Sequence, residues 1–280
     1  MIRTTLTALA LSISSAAAAH SFWLQPENAS LEPGEEAAIA FKIGDVGEDA
    51  QDWGLYWERI ASFRLYGPDG ATDQQSAVRT TRAGDRGGAS VTTPTQPGTY
   101  VLALESNPSF SDLEGARFDR YVANNGLTAI AEHRAAMQAS DADGTELYAR
   151  RAKTLLQVGD ATTANVTEPI GQTLEIVPLA NPFDLEAGDT LRVRVLWRGE
   201  ALEGATLAVA RIGAEPAPMS LMTDANGEAE VTLEAGPGYL LAVVWGVPAP
   251  NDARADYFTI FSSLTMPGPT PAPEPEQDTP

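Results

Sequence analysis

Residues 189–199 read DTLRVRVLWRG, and their alternation decides the fold class. Leu191, Val193, Val195 and Trp197 alternate with Arg192, Arg194 and Leu196, a period of two that suits a half-buried β-strand. The neighbouring stretches LEIVPL (174–179), GATLAVARIG (204–213) and GEAEVTLEAG (227–236) repeat the theme. Asp224-Ala225-Asn226-Gly227 predicts a hairpin turn. Pro237-Gly238-Tyr239 leads into the apolar run Leu240–Trp245, and Pro97-Gly98-Thr99-Tyr100 opens the strand Tyr100–Leu104 in the same way.

Working outward, residues 20–110 are also strand-like. Pro33-Gly34 marks a turn before the strand Ala37–Ile43, and Pro68-Asp69-Gly70 ends a strand carrying Phe63 and Tyr66. A Pro-Gly turn followed by an apolar strand is common in immunoglobulin-like sandwiches. Between the two β regions, residues 111–160 change period. Ser111-Asp112-Leu113-Glu114 has the pattern of a helix capping box, and Phe118, Tyr121 and Val122 then share one helical face. Asn125-Gly126 is a helix stop, a second helix is expected over 128–138, and a third from Thr145 with Tyr148, Ala152, Leu155 and Leu156 inward. The run Arg150-Arg151-Lys153 then falls on that helix's surface. The expectation is a mainly β protein with two β-sandwiches, at 20–110 and 161–266, and a short helical insert at 111–160. The tail 267–280, PGPTPAPEPEQDTP, is expected to be extended and disordered.

Residues 1–19 follow the secretory pattern: Arg3, an apolar run from Leu6 to Ile13, and small residues ending in Ala17-Ala18-Ala19. The apolar run is too short to span a bilayer comfortably. A signal peptide, and an exported, soluble, periplasmic or secreted protein, are therefore expected. The chain has no cysteine, which excludes a disulfide, a thiolate ligand and a cysteine nucleophile. Its 38 acidic and 18 basic residues give a net charge of −20, which repels nucleic acids and anionic membrane surfaces.

Three stretches carry a family resemblance: AHSFWLQPENASLEPGE at 19–35, FDRYVANNGL with ELYARRAKTLLQVGD at 118–127 and 146–160, and the DANGEAEVTL hairpin at 224–233. Together they resemble a periplasmic domain-of-unknown-function family sometimes described as a nickel-uptake accessory component. The resemblance spans nearly the whole mature chain. It implies a transthyretin-like closing sandwich and a role beside a membrane metal transporter. Members often carry a second histidine in the strand equivalent to Leu241–Val247, where this chain has Trp245 and no histidine.

Cleavage after Ala19 leaves His20 at the amino terminus. Its α-amino group, with a pKa near 7.7–8.0, and its imidazole, near 6.5, both give up a proton at modest cost near neutrality. The two nitrogens close a chelate ring that suits nickel, copper or zinc over calcium or magnesium. His20 serves equally well as a buried anchor for the first strand. His133, the only other histidine, is a candidate metal ligand or a surface residue between Glu132 and Arg134. Glu27, Asp45, Glu48, Asp49 and Asp52 are carboxylate candidates.

No Ser-His-Asp signature, nucleophile elbow, H-E-x-x-H or phosphate-cradling loop is present, so no enzymatic activity is expected. Trp23, Trp197 and Trp245 sit in strand-like contexts, and Trp53 and Trp57 are the tryptophans expected to be partly exposed. The functional expectation is a metal-binding protein that buffers or delivers nickel, cobalt or copper to a membrane transporter. The alternatives are a metal-free envelope module that holds a protein or glycan, and an oxidative copper enzyme whose histidine brace needs both His20 and His133.

Overall fold

The computed structural model describes residues 21–44, 50–53, 57–79, 87–213, 218–251 and 253–269. The leader, His20 and most of the Pro-rich tail lie outside these residues. The first strands are β1 (Ser21–Pro26), β2 (Ser30–Leu31), β3 (Glu36–Gly44), β4 (Gln51–Asp52) and β5 (Ile60–Gly67). They continue with β6 (Gly70–Asp73), β7 (Val78–Arg79), β8 (Gly88–Thr92), β9 (Gly98–Ser106) and β10 (Ser109–Leu113). Helices α1 (Gly115–Asn124) and α2 (Thr128–Ala136) follow, and then the long strand β11 (Gly144–Val158). The remaining strands are β12 (Leu174–Pro178), β13 (Thr190–Trp197), β14 (Glu200–Ala201) and β15 (Thr206–Arg211). The last are β16 (Met219–Met222), β17 (Glu228–Thr232), β18 (Gly238–Pro248) and β19 (Tyr257–Pro267).

Among the described residues these strands form three sheets. The central sheet runs β16-β15-β18-β19-β11-β9-β5-β6, with β10 and β2 also on β11. An N-terminal sheet of β1, β3, β8, β7 and β4 packs on one half of it, and a C-terminal sheet of β12, β13, β14 and β17 packs on the other. The protein is mainly β, and its two sandwiches share the central sheet. Parallel pairing of β11 with β19, from Glu146↔Tyr257 to Thr154↔Thr265, fuses the halves.

Consecutive residues of the shared strands serve opposite cores, as strand alternation requires. Val101 and Leu155 face the core under the C-terminal sheet, with Leu191, Val193, Val195, Leu207 and Leu264. Their neighbours Leu102 and Leu156 face the core under the N-terminal sheet, with Leu24, Ile39, Phe41 and Phe63. A strand buried on both faces needs a continuous apolar run, which Tyr100–Leu104 and Tyr239–Trp245 provide. On the N-terminal-sheet side, α1 and α2 cover the rest of the central sheet with Phe118, Tyr121, Val122 and Ile130 against Val244, Tyr257 and Phe261. Burying such a side chain contributes about 1.5–3 kcal/mol.

Both Pro-Gly strand starts are built alike. Tyr100 donates its hydroxyl hydrogen to the Gln96 carbonyl at 2.8 Å. The Tyr239 hydroxyl meets Glu234, donating to its carbonyl at 3.3 Å and accepting from its N–H. These are tyrosine corners, one in each sandwich.

Three expectations are corrected. Residues 144–158 form strand β11, not a third helix. Tyr148, Ala152 and Leu156 do share a face, but they do so at a spacing of four in a strand, while Leu155 turns to the other core. The basic run is accordingly not on a helix surface: Arg150 and Lys153 are buried, at 9% and 2% exposure. Ser111–Leu113 belongs to β10, and α1 starts at Gly115 after Glu114 with no side-chain cap. Gly115 fits there because a Cβ would lie 1.9 Å from the Asp141 carbonyl oxygen. The Asp224–Gly227 turn forms as expected, with Gly227 at φ +72°, but it joins β16 of the central sheet to β17 of the C-terminal sheet. It is a crossover between layers, not a hairpin. Phe118, Tyr121 and Val122 are buried together, and Gly126, at φ +62°, follows α1 as the sequence predicts.

Candidate functional site

Ser21 opens β1 and pairs with Gly44, the last residue of β3. The chain therefore enters one strand and leaves the other at a single corner of the N-terminal sheet. His20 precedes Ser21 in the sequence, and Asp45, Glu48 and Asp49 follow Gly44; all four lie outside the described residues. Glu27 follows the opposite end of β1, about 20 Å from Ser21 at about 3.3 Å per residue. Asp52 faces Lys42 across the β3–β4 ladder and forms a 2.6 Å ion pair with it. Among the described residues there is no group of three or more histidines and carboxylates that could hold a metal ion.

The corner is tightly anchored. Phe22 is buried, with its ring edge-on to Phe41 and Trp53 at 5.9 and 5.0 Å. Ser263 in β19 donates to the Phe22 carbonyl at 2.8 Å, which ties this sheet to the central one. Behind Phe22 lies Arg150, whose guanidinium sits 5.2–6.0 Å from the ring centres of Phe22, Trp53, Tyr148 and Phe261. Aromatic faces attract such a cation, most strongly when it is desolvated.

Four residues before Arg150 on β11, Glu146 accepts a 3.0 Å hydrogen bond from the Tyr121 hydroxyl of α1. Burial raises the Glu146 carboxyl above its ordinary range, and the Tyr121 hydroxyl and the Arg150 charge offset part of the rise. Burial, and then the Glu146 charge, push the Tyr121 phenol well up. Burial lowers the Arg150 guanidinium. This network joins the helices to the central strand and faces inward, with Glu146 4% exposed.

His133 sits on α2, half-buried, with its ring edge-on to Tyr257 and Nδ1 3.4 Å from the Tyr257 hydroxyl. Tyr257 opens β19, whereas β1 meets that strand at Ser263, about 20 Å further along it. His133 is thus not brought to the corner at Ser21. Its neighbour Arg134 is not solvated either. Arg134 is 4% exposed, ion-paired with Asp119 at 2.7 Å and bonded to the Ala142 carbonyl, because α2 packs its last turn against α1 and the loop after it.

Of the tryptophans, Trp23 and Trp245 are buried, Trp197 and Trp53 half-buried, and Trp57 is 57% exposed. The outer face of the N-terminal sheet carries an open groove of about 570 Å³ over Ala38, Ala40 and Gly88, flanked by Gln25, Lys42 and Arg79. Sequence reasoning missed the Arg150–Glu146–Tyr121 network, since its members come from a strand and a helix whose contact no local pattern reveals.

Residues 17–246 match the model of a family described as "Domain of unknown function (DUF4198)". No curated protein matches the chain. Among solved structures, the D0-D1 domain of Intimin is 11% identical, with 88% of this chain and 98% of that one covered and a TM-score of 0.22. Dimeric latent PorU from Porphyromonas gingivalis is 11% identical, with 89% of this chain and 20% of that one covered and a TM-score of 0.22. Trypsin-activated alpha-2-macroglobulin from Escherichia coli is 12% identical over 90% of this chain and 16% of its own, with a TM-score of 0.23. The chain spans about a fifth or less of the latter two proteins.

Proposed function

We infer, from the premise that this chain belongs to the DUF4198 family, that it is an exported binder of a divalent transition metal, with His20 as principal ligand. Nickel, cobalt and copper are the candidate ions, and the partner is a membrane transporter to which the protein delivers them or for which it buffers them. One observation supports this reading. Ser21 pairs with Gly44, and in the sequence His20 comes directly before the first and the acidic run directly after the second. Amine and imidazole nitrogens together with a carboxylate are a donor set suited to these ions. Processing after Ala19 is essential, because an amide nitrogen does not donate as an amine does.

Titration of the processed protein with Ni(II) and Cu(II), after mass spectrometry has identified its first residue, tests the reading. Tight binding that His20→Ala weakens at least 100-fold is expected. Equal binding by the variant, or a mature chain that begins elsewhere, overturns it.

A second reading, a metal-free envelope module that holds a protein or glycan, draws on a different observation. Trp57 and the groove on the outer N-terminal sheet offer a partner an aromatic side chain and a largely apolar trough edged by polar side chains. A calorimetric screen without metal affinity, together with a partner lost on Trp57→Ala, favours it.

A further inference from the structure

Helices α1 and α2 form an insertion between two strands that pair with each other. Leu113, the last residue of β10, is the register partner of Gly144, the first of β11. The insertion 114–143 thus leaves and rejoins the sheet at one point, where the Gly115 N–H also donates to Asp143 Oδ1 at 2.9 Å. A body attached in this way can swing without breaking a strand ladder. It also holds itself together. Arg134 pairs with Asp119 and bonds the Ala142 carbonyl, and Asp119 accepts the Asp141 N–H at 2.8 Å. The loop so clamped is strained. Gln138 and Asp141 lie at φ +55° and +60°, two of the three non-glycine residues with positive φ among the described residues. Strain of this kind collects at clamps and switch regions.

Against the sheet the insertion lays Phe118, Tyr121, Val122, Leu127 and Ile130. Its polar ties there include the Tyr121–Glu146 hydrogen bond and the 3.4 Å contact of His133 with Tyr257. Glu146 is buried beneath Tyr121. A covered carboxyl is easily kept neutral, whereas its ionised form is costly unless a cation is paired with it. Arg150 offsets part of that cost, but burial is the larger effect and raises the carboxyl above its ordinary range. Swinging the insertion away returns the carboxylate to water.

We propose that the insertion 114–143 is a lid that pivots at Leu113 and Gly144, latched by the bond between Tyr121 and a protonated Glu146 and loosened when that carboxyl ionises. Around the carboxyl stand Tyr121 from α1, Tyr148 and Arg150 from β11, Tyr257 and Thr259 from β19, and Ser111 from β10. His133, Arg134, Asp119 and Asp256 lie around Tyr257. Burial raises the Tyr257 phenol, as it does that of Tyr121. Asp119, despite burial, is lowered by the Asp141 N–H and by Arg134. The closed lid is therefore most stable below the unfolded carboxyl value of about 4.3, and that stability is lost as pH rises through the raised value.

Hydrogen exchange of the full processed chain, corrected for the intrinsic rate at each pH, tests the lid between about pH 4.5 and 8. Protection of residues 115–136 is expected to fall about threefold or more as pH rises, while strands β9 and β13 keep theirs. Glu146→Gln abolishes this dependence. His133→Gln is the control, because histidine also changes charge near neutrality, and it leaves the dependence in place. Tyr121→Phe removes the latch and keeps the carboxyl, so it lowers lid protection at the acidic end without lowering that of β13. Protection that does not change with pH overturns the proposal, as does a fall shared equally by β13. So does a dependence that survives in Glu146→Gln or vanishes in His133→Gln. Should Glu146→Gln fail to fold, parent-like lid protection in Tyr121→Phe overturns it instead. His20→Ala leaves all these readings unchanged, so the lid and the metal site stand or fall separately.

Discussion

Lys153 Nζ lies 2.8 Å from Glu175 Oε1, and the two side chains are 2% and 1% exposed. The pair joins β11 of the central sheet to β12 of the C-terminal sheet through the core. Glu175 also accepts the backbone N–H groups of Ile170, Gly171 and Gln172 at 2.8–3.0 Å, so the loop before β12 folds around its carboxylate. Burial lowers the Lys153 ammonium below its ordinary range, and the Glu175 charge offsets part of that. A buried pair of this kind adds little net stability over apolar packing, but loss of one partner leaves an uncompensated charge.

Lys153→Met should therefore cost about 3–5 kcal/mol in urea unfolding. Lys153→Met combined with Glu175→Gln should cost less than the single change, because the amide oxygen still accepts from the loop and carries no charge. A double variant that is less stable than Lys153→Met would contradict this account.

Glu146 makes stability depend on pH in the direction opposite to a surface carboxylate. Its folded-state carboxyl holds the proton more tightly than the unfolded one, whose value is about 4.3. Stability from this group is fully present below the unfolded value and is lost as pH rises through the raised folded value. Glu146→Gln does not titrate. The stability of the parent relative to that variant should fall as pH is raised from 4 toward neutrality, as measured by chemical unfolding across that range. A constant difference would show that the carboxyl is not perturbed.

The two tyrosine corners should act independently. Tyr100→Phe removes one hydroxyl hydrogen bond and Tyr239→Phe removes two, both to Glu234, and each change should cost about 1–2 kcal/mol. Tyr100 belongs to the N-terminal core and Tyr239 to the C-terminal one, so the double variant should match the sum within about 0.5 kcal/mol. Calorimetric unfolding of the four proteins closes this cycle.

Where the sequence was informative, a local period carried the message. Leu191, Val193 and Val195 are buried on one face of β13 as the alternation requires, and both Pro-Gly-led strands form. Where it misled, the deciding partners were distant. Glu146, Arg150, Arg151 and Lys153 put four charges into 15 residues of β11, a density that normally marks a solvated surface. Glu146, Arg150 and Lys153 are inside and Arg151 is half-buried because Tyr121, the rings of Phe22, Trp53 and Phe261, Glu105 and Glu175 receive them, and these lie between 22 and 128 residues away. The crossover at 224–227 was unreadable for a related reason. A tight turn specifies its own backbone but not which sheet claims the next strand. The candidate site was legible only as chemistry, in the nitrogen donors of His20. The Ser21↔Gly44 pairing beside it was not legible, because it depends on strand register.

The ladder between β11 and β19 has a consequence for how the molecule is made. Strand β11 keeps an open flank until residues 257–267 are synthesised, so the first sandwich cannot mature while the second is still being translated. Contacts that span a hundred residues or more form slowly. The polypeptide thus stays threadable for most of its biosynthesis, and once the ladder zips, the halves are locked against hinging and should melt as one cooperative body.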